Sequence, residues 1–473
     1  MSEINNTDLV VIGAGPGGYT AAFMASDLGL SVTLVDPMAN PGGVCLHRGC
    51  IPTKSLLHIS KIKQEAAKAE DWGMSFAAPS IDIDKVRAWK DSVITRLTGG
   101  LGQLSKARKI NYIQGYGSFN SSNEMTIKTL KGETSTLHFE HAVIATGSEP
   151  RRLPFLNYES DKILDAKKAL ELKFIPKRLL VIGGGYIGLE MGYIYQALGS
   201  QTTVVEMTDS LMPGMDPELT KIFENHNKNF YASIKKSTKV AEVVEKESHI
   251  EVTFEDAKGE KVMEEFDAIM VAIGQAPSTQ GFGLENTKVT FGDGGFITVD
   301  HQQRTNDSSI FAIGDVIGGP LLAHKASYEA RIAAEVIVGK SSTNDAQVIP
   351  AVVYTDPEIA TVGLSEPEAK KLGVDFKIAK FPWAASGRAV AMGDPTGLTK
   401  LIIEEGTERI LGAGIVGKNA GDLISEMALA VEMAATASDI EQTIHPHPTL
   451  SETIMETAGA FYGQATHVFQ KMK

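Results

Sequence analysis

Two stretches of the chain, far apart in the sequence, share one pattern of apolar, glycine and polar positions. Residues 10–36 read VVIGAGPGGYTAAFMASDLGLSVTLVD, and residues 180–206 read LVIGGGYIGLEMGYIYQALGSQTTVVE. Each stretch has a short β-branched run, a glycine-rich turn, a helical pattern and a second β-branched run that ends in an acid. A shift of 170 residues, which carries Gly13 onto Gly183, superimposes them. The pattern predicts two strand–helix–strand units in an α/β fold.

Both units carry the glycine fingerprint of a dinucleotide site. The first has Gly13, Gly15, Gly18 and the terminal acid Asp36, and the second has Gly183, Gly185, Gly188 and the terminal acid Glu206. The first glycine allows a tight turn, the second lets a pyrophosphate approach the backbone, and the third lets the helix pack closely on the strand. One fingerprint alone is weak evidence, but two with equal spacing and terminal acids predict that the chain binds two dinucleotides.

The remaining apolar patterns predict the other elements. Residues 53–70 and 84–109 have helical spacing, 110–140 read as short strands, and further strands are predicted at 142–148, 268–277 and 309–316. The strand at 309–316 indicates that the chain returns to the neighbourhood of its first domain. After a polar stretch at 339–347, the last part mixes strands within 350–417 with helices at roughly 421–437 and 452–470, which is typical of an α+β domain.

The composition of the chain limits which kinds of partner it can bind and indicates the compartment in which it works. Of the 473 residues, 43% are hydrophobic and 22% are charged, as in ordinary globular proteins. The net charge of −13 argues against binding nucleic acid or an anionic membrane surface. The sequence has no apolar run of the roughly 18 residues that span a bilayer and no secretory signal pattern at its start. We therefore expect a cytoplasmic protein.

The only two cysteines, Cys45 and Cys50, lie between the two fingerprints in GGVCLHRGCIPTKSLL (42–57). In a regular helix, residues five positions apart are about 8–9 Å from each other, whereas a disulfide needs Cα atoms within roughly 7 Å. A bridge therefore requires a distorted segment, which the neighbouring glycines permit. A zinc site, two unrelated buried thiols and a structural disulfide are the alternatives. Redox use is favoured because the pair lies beside a dinucleotide site, and we expect no metal.

The combined motifs resemble those of the flavoprotein disulfide reductases, and the resemblance covers essentially the whole chain. GGVCLHRGCIPTKS (42–55) is similar to the family's redox-active segment, and FAIGDV (311–316) to its second flavin-binding motif. LLAHKA (321–326) is similar to the segment that follows, and HPHPTLSE (445–452) to the C-terminal active-site motif. Within the family, the chain most resembles the enzymes that oxidise dihydrolipoamide.

For the fold, the resemblance implies two Rossmann-like dinucleotide-binding domains and a C-terminal α+β dimerisation domain. The implied ranges are an FAD-binding domain over 1–150, an NAD-binding domain over 151–278, a central domain over 279–348 that returns to the FAD domain, and an interface domain over 349–473. The active unit would be a homodimer, because the family places the C-terminal motif of one subunit against the cysteines of the other.

For the cofactors, the resemblance implies that the first fingerprint holds FAD and the second holds NAD. It adds Thr146, Gly147, Ser148, Asp315 and Ala323 to the FAD site, with Lys54 near the flavin and paired with Glu190, and includes Gly117, Val240 and Gly274 among the cofactor-binding residues. A carboxylate at Glu206 accepts from a free ribose 2′-hydroxyl but repels a 2′-phosphate. No arginine occurs between Gly199 and Lys221, so NAD is favoured over NADP.

For the chemistry, the resemblance places the base at His447 and its orienting acid at Glu452. Two structural alternatives remain: Glu452 could belong to a capping box with Thr449 at the start of the last helix, and the prolines around His447 could form a solvated turn. His445 and His47 are the alternative bases. Substrate thiolate would attack Cys45, and Cys50 would lie nearer the flavin. Among the departures from the family pattern, Arg48 stands where an apolar residue is usual.

The implied function is oxidation of protein-bound dihydrolipoamide to lipoamide, with hydride passed to NAD. The partners would be the lipoyl domains and the acyltransferase core of a 2-oxoacid dehydrogenase complex. Glutathione reductase and mercuric reductase are the nearest alternatives, but Glu206 and the absence of C-terminal cysteines argue against them. A soluble flavin transhydrogenase would not need the cysteine pair. From another class, the alternative is a chain that acts mainly as a binding subunit of a large 2-oxoacid dehydrogenase assembly, a role that is compatible with catalysis.

Overall fold

The computed structural model describes residues 4–469. Residues 4–150 form β1 (Ile4–Ile12), α1 (Pro16–Asp27), β2 (Val32–Asp36), α2 (Gly43–Arg48), α3 (Cys50–Lys68), α4 (Ile83–Ala107), β3 (Asn111–Ser121), β4 (Glu124–Thr129), β5 (Thr134–Ile144) and β6 (Ser148–Pro150). The next stretch forms β7 (Ile163–Leu164), α5 (Ala166–Glu171), β8 (Arg178–Ile182), α6 (Tyr186–Leu198), β9 (Gln201–Val205), α7 (Pro217–His226), β10 (Ser233–Lys235), β11 (Thr238–Glu245), β12 (Ile250–Asp256), β13 (Lys261–Phe266), β14 (Ala268–Val271) and β15 (Gln275–Pro277). The remainder forms β16 (Ile310–Ala312), α8 (Ala323–Ile337), β17 (Ala351–Val353), β18 (Glu358–Gly363), α9 (Glu366–Leu372), β19 (Phe376–Pro382), α10 (Gly387–Ala391), β20 (Leu398–Glu404), β21 (Ile410–Gly417), α11 (Ala420–Glu432), α12 (Ala437–Gln442) and α13 (Glu452–Phe461).

The two fingerprint units lie in two parallel sheets of the same design. The first sheet has the parallel order β3–β2–β1–β5–β16, and the second has the order β10–β9–β8–β14–β7. Their central strands are almost fully buried, as expected where helices cover both faces of a parallel sheet. An antiparallel meander accompanies each sheet, formed by β3, β4 and β5 in one and by β11, β12 and β13 in the other.

The chain crosses twice between these sheets. Strand β6 pairs with β15 in a small antiparallel sheet, and the predicted domain boundaries after residues 150 and 278 fall close to the ends of these two strands. Strand β16 then pairs in parallel with β5, so that Phe311 lies opposite Val143. The predicted return of the chain to its first domain is confirmed by this pairing, whereas the domain limits stay predictions.

The C-terminal part is an antiparallel sheet in the order β17–β18–β21–β20–β19, packed with α11, α12 and α13. The α/β class with two Rossmann-like units and a C-terminal α+β domain is therefore confirmed. Both predicted C-terminal helix ranges were too long. Helix α11 ends at Glu432, before the left-handed residue Ala434, and α13 ends at Phe461, where Gly463 (φ +71°) reverses the chain. Across residues 4–469, no helix is both long and apolar enough to cross a membrane.

A buried ion cluster joins the C-terminal domain to the second parallel-sheet domain. Lys400 on β20 is 1% exposed, and its ammonium lies 2.8 Å from Asp216, 3.2 Å from Glu218 and 2.7 Å from Glu366. Asp216 caps α7, and Glu366 begins α9. Hydrogen bonds from Lys370 and Lys400 lower the pKa of Glu366 to about 2. One buried cation therefore satisfies carboxylates on two domains.

We expect Glu366→Gln to destabilise the protein at neutral pH but not in strong acid. Because the folded-state pKa of Glu366 lies below its ordinary 4.5, its stabilising effect is fully present above pH 4.5 and is lost as pH falls towards about 2. Thermal unfolding of wild type and variant at pH 7 and pH 3 measures this convergence. Glu405→Gln, which removes only an exposed pair with Lys377, is the control and should change stability little at either pH. A constant difference across this range would contradict the coupling.

Candidate active site

The outer glycines of both fingerprints are required by the fold itself. Gly13 (φ +92°) lies against the strand end at Ala145, where an added Cβ would be 2.4 Å from the carbonyl oxygen. An added Cβ on Gly18 would lie only 1.8 Å from the oxygen of Gly13. In the second unit, Gly183 and Gly188 have equivalent clashes at 2.3 and 2.1 Å with backbone oxygens. These four positions let the turn, helix and strand come together.

The middle glycines have a different environment. A Cβ on Gly15 would meet only the Cα of Gly43, at 3.9 Å, and one on Gly185 would meet nothing within 4 Å in the described chain. Both residues have extended backbone angles that alanine can adopt, and each precedes a helix N-terminus that has no side-chain cap among residues 4–469. The open surface and free amides fit the diphosphate of a dinucleotide, whose charge the helix N-terminus stabilises.

The terminal acids brace the two turns in the same way. Asp36 accepts a hydrogen bond from the Ala14 amide at 2.8 Å, and Glu206 accepts one from the Gly184 amide at 2.8 Å. The second carboxylate oxygen of each acid accepts a hydrogen bond from a backbone amide just beyond the strand. The donor is Met38 for Asp36 and Thr208 for Glu206. Each acid thus fixes the shape of its turn, and the predicted ribose contacts stay predictions.

The cysteine segment packs directly on the first fingerprint turn. The Gly42 amide donates to the Ala14 carbonyl at 2.8 Å, and a Cβ on Gly43 (φ +55°) would lie 2.3 Å from the Cα of Gly15. The helical path is interrupted at Gly49, between α2 and α3, with φ −147° and ψ −115°. The distortion that the cysteine spacing predicts is therefore present, and it lies beside the proposed dinucleotide turn.

The two cysteines are free thiols whose pKa values are shifted in opposite directions. A hydrogen bond from Cys45, helped by the charge of Lys54, lowers the pKa of Cys50 to about 7. The same bond to Cys50, together with burial, raises the pKa of Cys45. Cys50 is thus the more acidic of the two thiols and the one that more readily forms the thiolate, with Cys45 as its hydrogen-bond donor. Arg48, which stands where the family usually has an apolar residue, is exposed. Within the described chain, no three His, Cys, Asp or Glu side chains are arranged as a metal site.

Lys54 connects the cysteines to the second fingerprint helix. Its ammonium lies 2.8 Å from Glu190 on α6, as predicted, and 4.5 Å from the ring centroid of Tyr354. Glu190 is 3% exposed and also accepts a hydrogen bond from the Tyr354 amide at 2.9 Å. Three parts of the chain therefore fix the position of the lysine charge next to Cys50.

The predicted second flavin-binding motif lies beside the end of β5. Ser148 donates to Asp315 at 2.6 Å, and Thr146 donates to the Ser278 carbonyl at 2.6 Å, while Gly147 (φ +73°) makes the turn between them. Asp315 belongs to a 3-10 turn, Gly314–Ile317, and Ala323 begins α8. The predicted residues of this motif thus lie close together.

Sequence reasoning missed the support beneath that turn. Glu329, buried on α8, accepts a hydrogen bond from the Gly314 amide at 2.8 Å and pairs with Lys325 at 2.7 Å. Burial raises the pKa of Glu329, and the nearby lysine opposes that effect. The i, i+4 spacing of Lys325 and Glu329 on an amphipathic helix predicts an ion pair. It does not predict that this pair also accepts a hydrogen bond from the turn at Gly314.

The three remaining predicted cofactor residues have less distinctive positions. Gly117 is buried in β3, where an added Cβ would lie 2.7 Å from the sulfur of Met125, so sheet packing accounts for this glycine. Val240 lies at a bulge in β11, two residues after Thr238, whose amide donates to the Glu206 carbonyl. Gly274 (φ +104°) follows β14 and accepts a hydrogen bond from the Arg151 amide. Their cofactor contacts stay predictions.

His447 and Glu452 form a hydrogen-bonded pair in the C-terminal domain. Nδ1 of His447 lies 2.8 Å from one Glu452 oxygen, and the Thr449 amide donates to the other oxygen at 2.7 Å. The His447 side chain is 74% exposed, and its Nε2 has no partner among residues 4–469. Burial opposes ionisation of Glu452, but the hydrogen bonds from Thr449 and His447 outweigh it and lower the pKa of Glu452. A carboxylate thus orients an accessible imidazole nitrogen.

Only half of the predicted capping box is present: Glu452 accepts the Thr449 backbone amide, but the Thr449 hydroxyl does not cap the helix. Helix α13 begins at Glu452 with Ser451 as its N-cap, and the hydroxyl of Thr449 donates to the Pro446 carbonyl instead of accepting a hydrogen bond from a helix amide.

The two alternative bases, His445 and His47, form hydrogen bonds with other groups. The His445 side chain is 4% exposed and lies 2.8 Å from both Glu426 and the Thr443 carbonyl. His47 contacts the Asn40 carbonyl at 3.1 Å through Nε2. His447 is the histidine of this motif that is free to meet a substrate.

The sequence matches two models of known protein families along most of its length. The model described as pyridine nucleotide-disulphide oxidoreductase covers residues 7–330. The model described as the dimerisation domain of the same oxidoreductases covers residues 349–458. The chain belongs to the pyridine nucleotide-disulphide oxidoreductase family and carries its dimerisation domain.

Individual relatives are similar over the full length. The chain is 45% identical over 471 residues to a dihydrolipoyl dehydrogenase of Vibrio parahaemolyticus, covering 100% of this chain and 99% of the relative. It is 42% identical over 466 residues to a dihydrolipoyl dehydrogenase of Geobacillus stearothermophilus, covering 98% of each. Among solved structures, LpdA from Mycobacterium tuberculosis superimposes with a TM-score of 0.88 at 27% identity, covering 96% of this chain and 99% of that chain.

Proposed function

We propose that this chain acts as a dihydrolipoyl dehydrogenase, which oxidises protein-bound dihydrolipoamide and passes hydride to NAD. The observation that carries the proposal is the packing of the cysteine segment on the first dinucleotide turn, where Gly43 lies against Gly15. A thiol pair in that position can exchange electrons with a cofactor held by the same turn. The full-length similarity to dihydrolipoyl dehydrogenases supports the choice of substrate.

FAD would be bound by the first fingerprint and by the Ser148–Asp315 motif, and NAD by the second fingerprint. When bound, FAD accepts the electron pair of the two thiols and supplies a hydride to NAD. The open surfaces at Gly15 and Gly185 fit the two diphosphates. The Glu206 carboxylate favours a free ribose 2′-hydroxyl over a 2′-phosphate, which supports NAD.

The acidities of the two thiols support their roles in disulfide exchange. His447 takes a proton from one substrate thiol through Nε2, and the resulting thiolate attacks Cys45 of the oxidised pair. The sulfur–sulfur bond breaks, and Cys50 leaves as the thiolate. A leaving thiol of lower pKa leaves faster, and the pKa of Cys50 is about 7. The second substrate thiol then displaces Cys45 and closes the lipoamide disulfide.

The proposal also includes two levels of association. A homodimer through the dimerisation domain would bring His447 of one protomer to the cysteines of its partner. The hydrogen bonds of His447 and His445 are made within the C-terminal domain, which leaves the exposed imidazole free to face a second copy. The lipoyl domains and acyltransferase core of a 2-oxoacid dehydrogenase complex would be the larger partners.

Anaerobic reduction of the purified yellow protein tests the substrate assignment. Dihydrolipoamide is compared with glutathione as thiol donor, and NADH with NADPH as nucleotide, by the bleaching of the flavin absorbance. We expect rapid reduction by dihydrolipoamide and NADH. Preferential reaction with glutathione and NADPH would favour a glutathione reductase and overturn the proposal.

We expect Gly185→Ala to weaken NAD binding without affecting folding. The added methyl group meets no protein atom within 4 Å, and the backbone angles suit alanine, so its volume falls where the diphosphate would lie. The KM for NAD should rise at least about tenfold, the equivalent of 1.4 kcal/mol, with unchanged thermal stability and flavin content. Gly15→Ala is the matched variant, which should lower flavin content instead. An unchanged KM in Gly185→Ala would contradict the proposed diphosphate site.

A further inference from the structure

A second His–Glu pair lies on the same helix as the first. Glu456 on α13 is 6% exposed, and one of its oxygens lies 2.7 Å from Nδ1 of His467. The other oxygen accepts the Thr466 amide at 2.9 Å. Neither residue belongs to the motifs that the sequence analysis identified.

The end of the described chain folds back along α13 to make this pair. Gly463 has a left-handed φ of +71°, and the Gln464 amide donates to the Gly459 carbonyl at 2.9 Å. Ala465 then lies against Gly459, where an added Cβ would be 3.6 Å from the Ala465 backbone. His467 follows at the level of Glu456, so the returning segment runs antiparallel to the helix, towards Glu452.

The two pairs have the same construction and lie one turn apart. Glu452 and Glu456 are separated by four residues, so they share one face of α13 and lie about 6 Å apart along its axis. Each carboxylate holds a histidine by Nδ1 and accepts backbone amides with its other oxygen, one at Glu452 and two at Glu456. Their histidines are 74% and 56% exposed. In both pairs the nitrogen turned away from the carboxylate is Nε2.

We propose that His467 is a second proton acceptor for the dithiol substrate, which deprotonates the thiol that resolves the mixed disulfide. This inference rests on the proposed function. Dihydrolipoamide carries two thiols on a short alkyl spacer, and only a thiolate attacks a disulfide. Once His447 has accepted the first proton, it cannot accept the second. A neighbouring imidazole of the same design can.

The proposed step begins from the mixed disulfide between the substrate and Cys45. Nε2 of His467 takes the proton of the remaining substrate thiol, and that sulfur attacks the substrate sulfur bonded to Cys45. The lipoamide sulfur–sulfur bond forms, the bond to Cys45 breaks, and Cys45 leaves with the electron pair. Cys45 then takes the proton held by His447. The substrate is oxidised, and the Cys45–Cys50 disulfide is reduced to the Cys45 thiol and the Cys50 thiolate, while the second proton stays on His467.

Among residues 4–469, the charged and titratable groups found beside His467 are those of α13 and of His447. Glu456 contacts it directly, and Glu452 with its His447 lies one turn away. The proximity of His467 also contributes to the lowered pKa of Glu452. A change at His467 can therefore act on proton transfer or on the anchoring of the returning segment, and a test has to separate these two effects.

His467→Asn and His467→Ala separate them in the full-length holoenzyme. The asparagine amide can still donate to Glu456, as Nδ1–H does, but has no basic nitrogen at the position of Nε2. With dihydrolipoamide and NAD, we expect kcat to fall about tenfold in both variants, less than the hundredfold or more typical of a sole general base. His138→Gln, a change at a half-buried residue on β5, is the control and should leave kcat unchanged.

The variant His447→Gln gives an independent measurement. If His467 is the second acceptor, the residual activity of His447→Gln should fall at least about tenfold further in His447→Gln/His467→Asn and lose its remaining pH dependence. Equal activity of these two proteins would overturn the proposal. So would wild-type kcat in His467→Asn combined with a loss only in His467→Ala, because that result assigns His467 to anchoring. Failure of the wild type to oxidise dihydrolipoamide would instead reject the proposed function.

Discussion

Replacing either Cys45 or Cys50 with serine is expected to abolish dihydrolipoamide oxidation, with a loss of at least about a thousandfold in kcat. Serine has nearly the shape of cysteine but cannot form the disulfide that accepts the electron pair. Reduction of an artificial dye by NADH does not need thiol exchange, so it should continue in both variants. Steady-state assays with the two acceptors, on protein of equal flavin content, measure this difference.

The two serine variants should differ in the acidity of the remaining thiol. In Cys45→Ser, the serine hydroxyl can still donate a hydrogen bond to Cys50, and Lys54 still favours the thiolate, so the pKa of Cys50 should stay near about 7. In Cys50→Ser, the remaining Cys45 thiol should stay poorly reactive at neutral pH because it is partly buried. The pH dependence of alkylation by iodoacetamide measures both. Arg48→Val is the matched control and should leave the thiolate profile unchanged. Equal profiles in the two serine variants would contradict the assigned roles.

The parts of this fold that could be read from the sequence are those encoded over short distances. The two fingerprints specify a strand, a turn and a helix within about thirty residues, and Gly13 and Gly18 are glycines because of contacts inside that unit. The cysteine spacing and Gly49 likewise predict a break that lies within one segment. Each of these signals depends on geometry that its own neighbours determine.

The features that the sequence did not reveal join residues that are distant along the chain. Lys400 is buried among carboxylates from α7 and α9, and Glu329 holds a turn that starts fifteen positions before it. No local periodicity identifies such partners, because a buried charge is recognised only once its surroundings are known. The overlong prediction for the last helix has the same origin. Gly463 reverses the chain, and the returning segment is then held by Glu456.

His447 presents the intermediate case, in which the motif was visible but its spacing left three interpretations open. The structure distinguishes the histidines by their surroundings: the His445 side chain is buried against Glu426, whereas His447 is exposed and held only through Nδ1 among the described residues. A base needs an accessible nitrogen and a fixed orientation, and only His447 in this motif has both. The capping function of Glu452 and its role as orienting acid are compatible, because they use different oxygens.

Replacing His447 with glutamine is therefore expected to lower kcat for dihydrolipoamide oxidation by about 10²- to 10⁴-fold, the usual contribution of a general base. Glutamine keeps the size of the side chain and can donate to Glu452, but it cannot accept a thiol proton. Dye reduction by NADH should be unchanged, because it bypasses the substrate thiols. Stopped-flow measurement of flavin reduction by dihydrolipoamide locates the loss in the thiol half-reaction.

Glu452→Gln tests the same base through its partner, and we expect a smaller loss, of about ten- to a hundredfold. An amide can still orient the imidazole, but it does not stabilise the proton that His447 accepts. Because the pKa of Glu452 is lowered, its carboxylate stays ionised even at a pH where an ordinary glutamate would take up a proton. The His447–Glu452 pair therefore weakens only as pH falls through the lowered pKa. The ratio of wild-type to Glu452→Gln activity should therefore be large at neutral pH and shrink in acid. Near-normal activity in His447→Gln, together with a loss in a stably folded His445→Gln, would move the base to His445 and reject this mechanism.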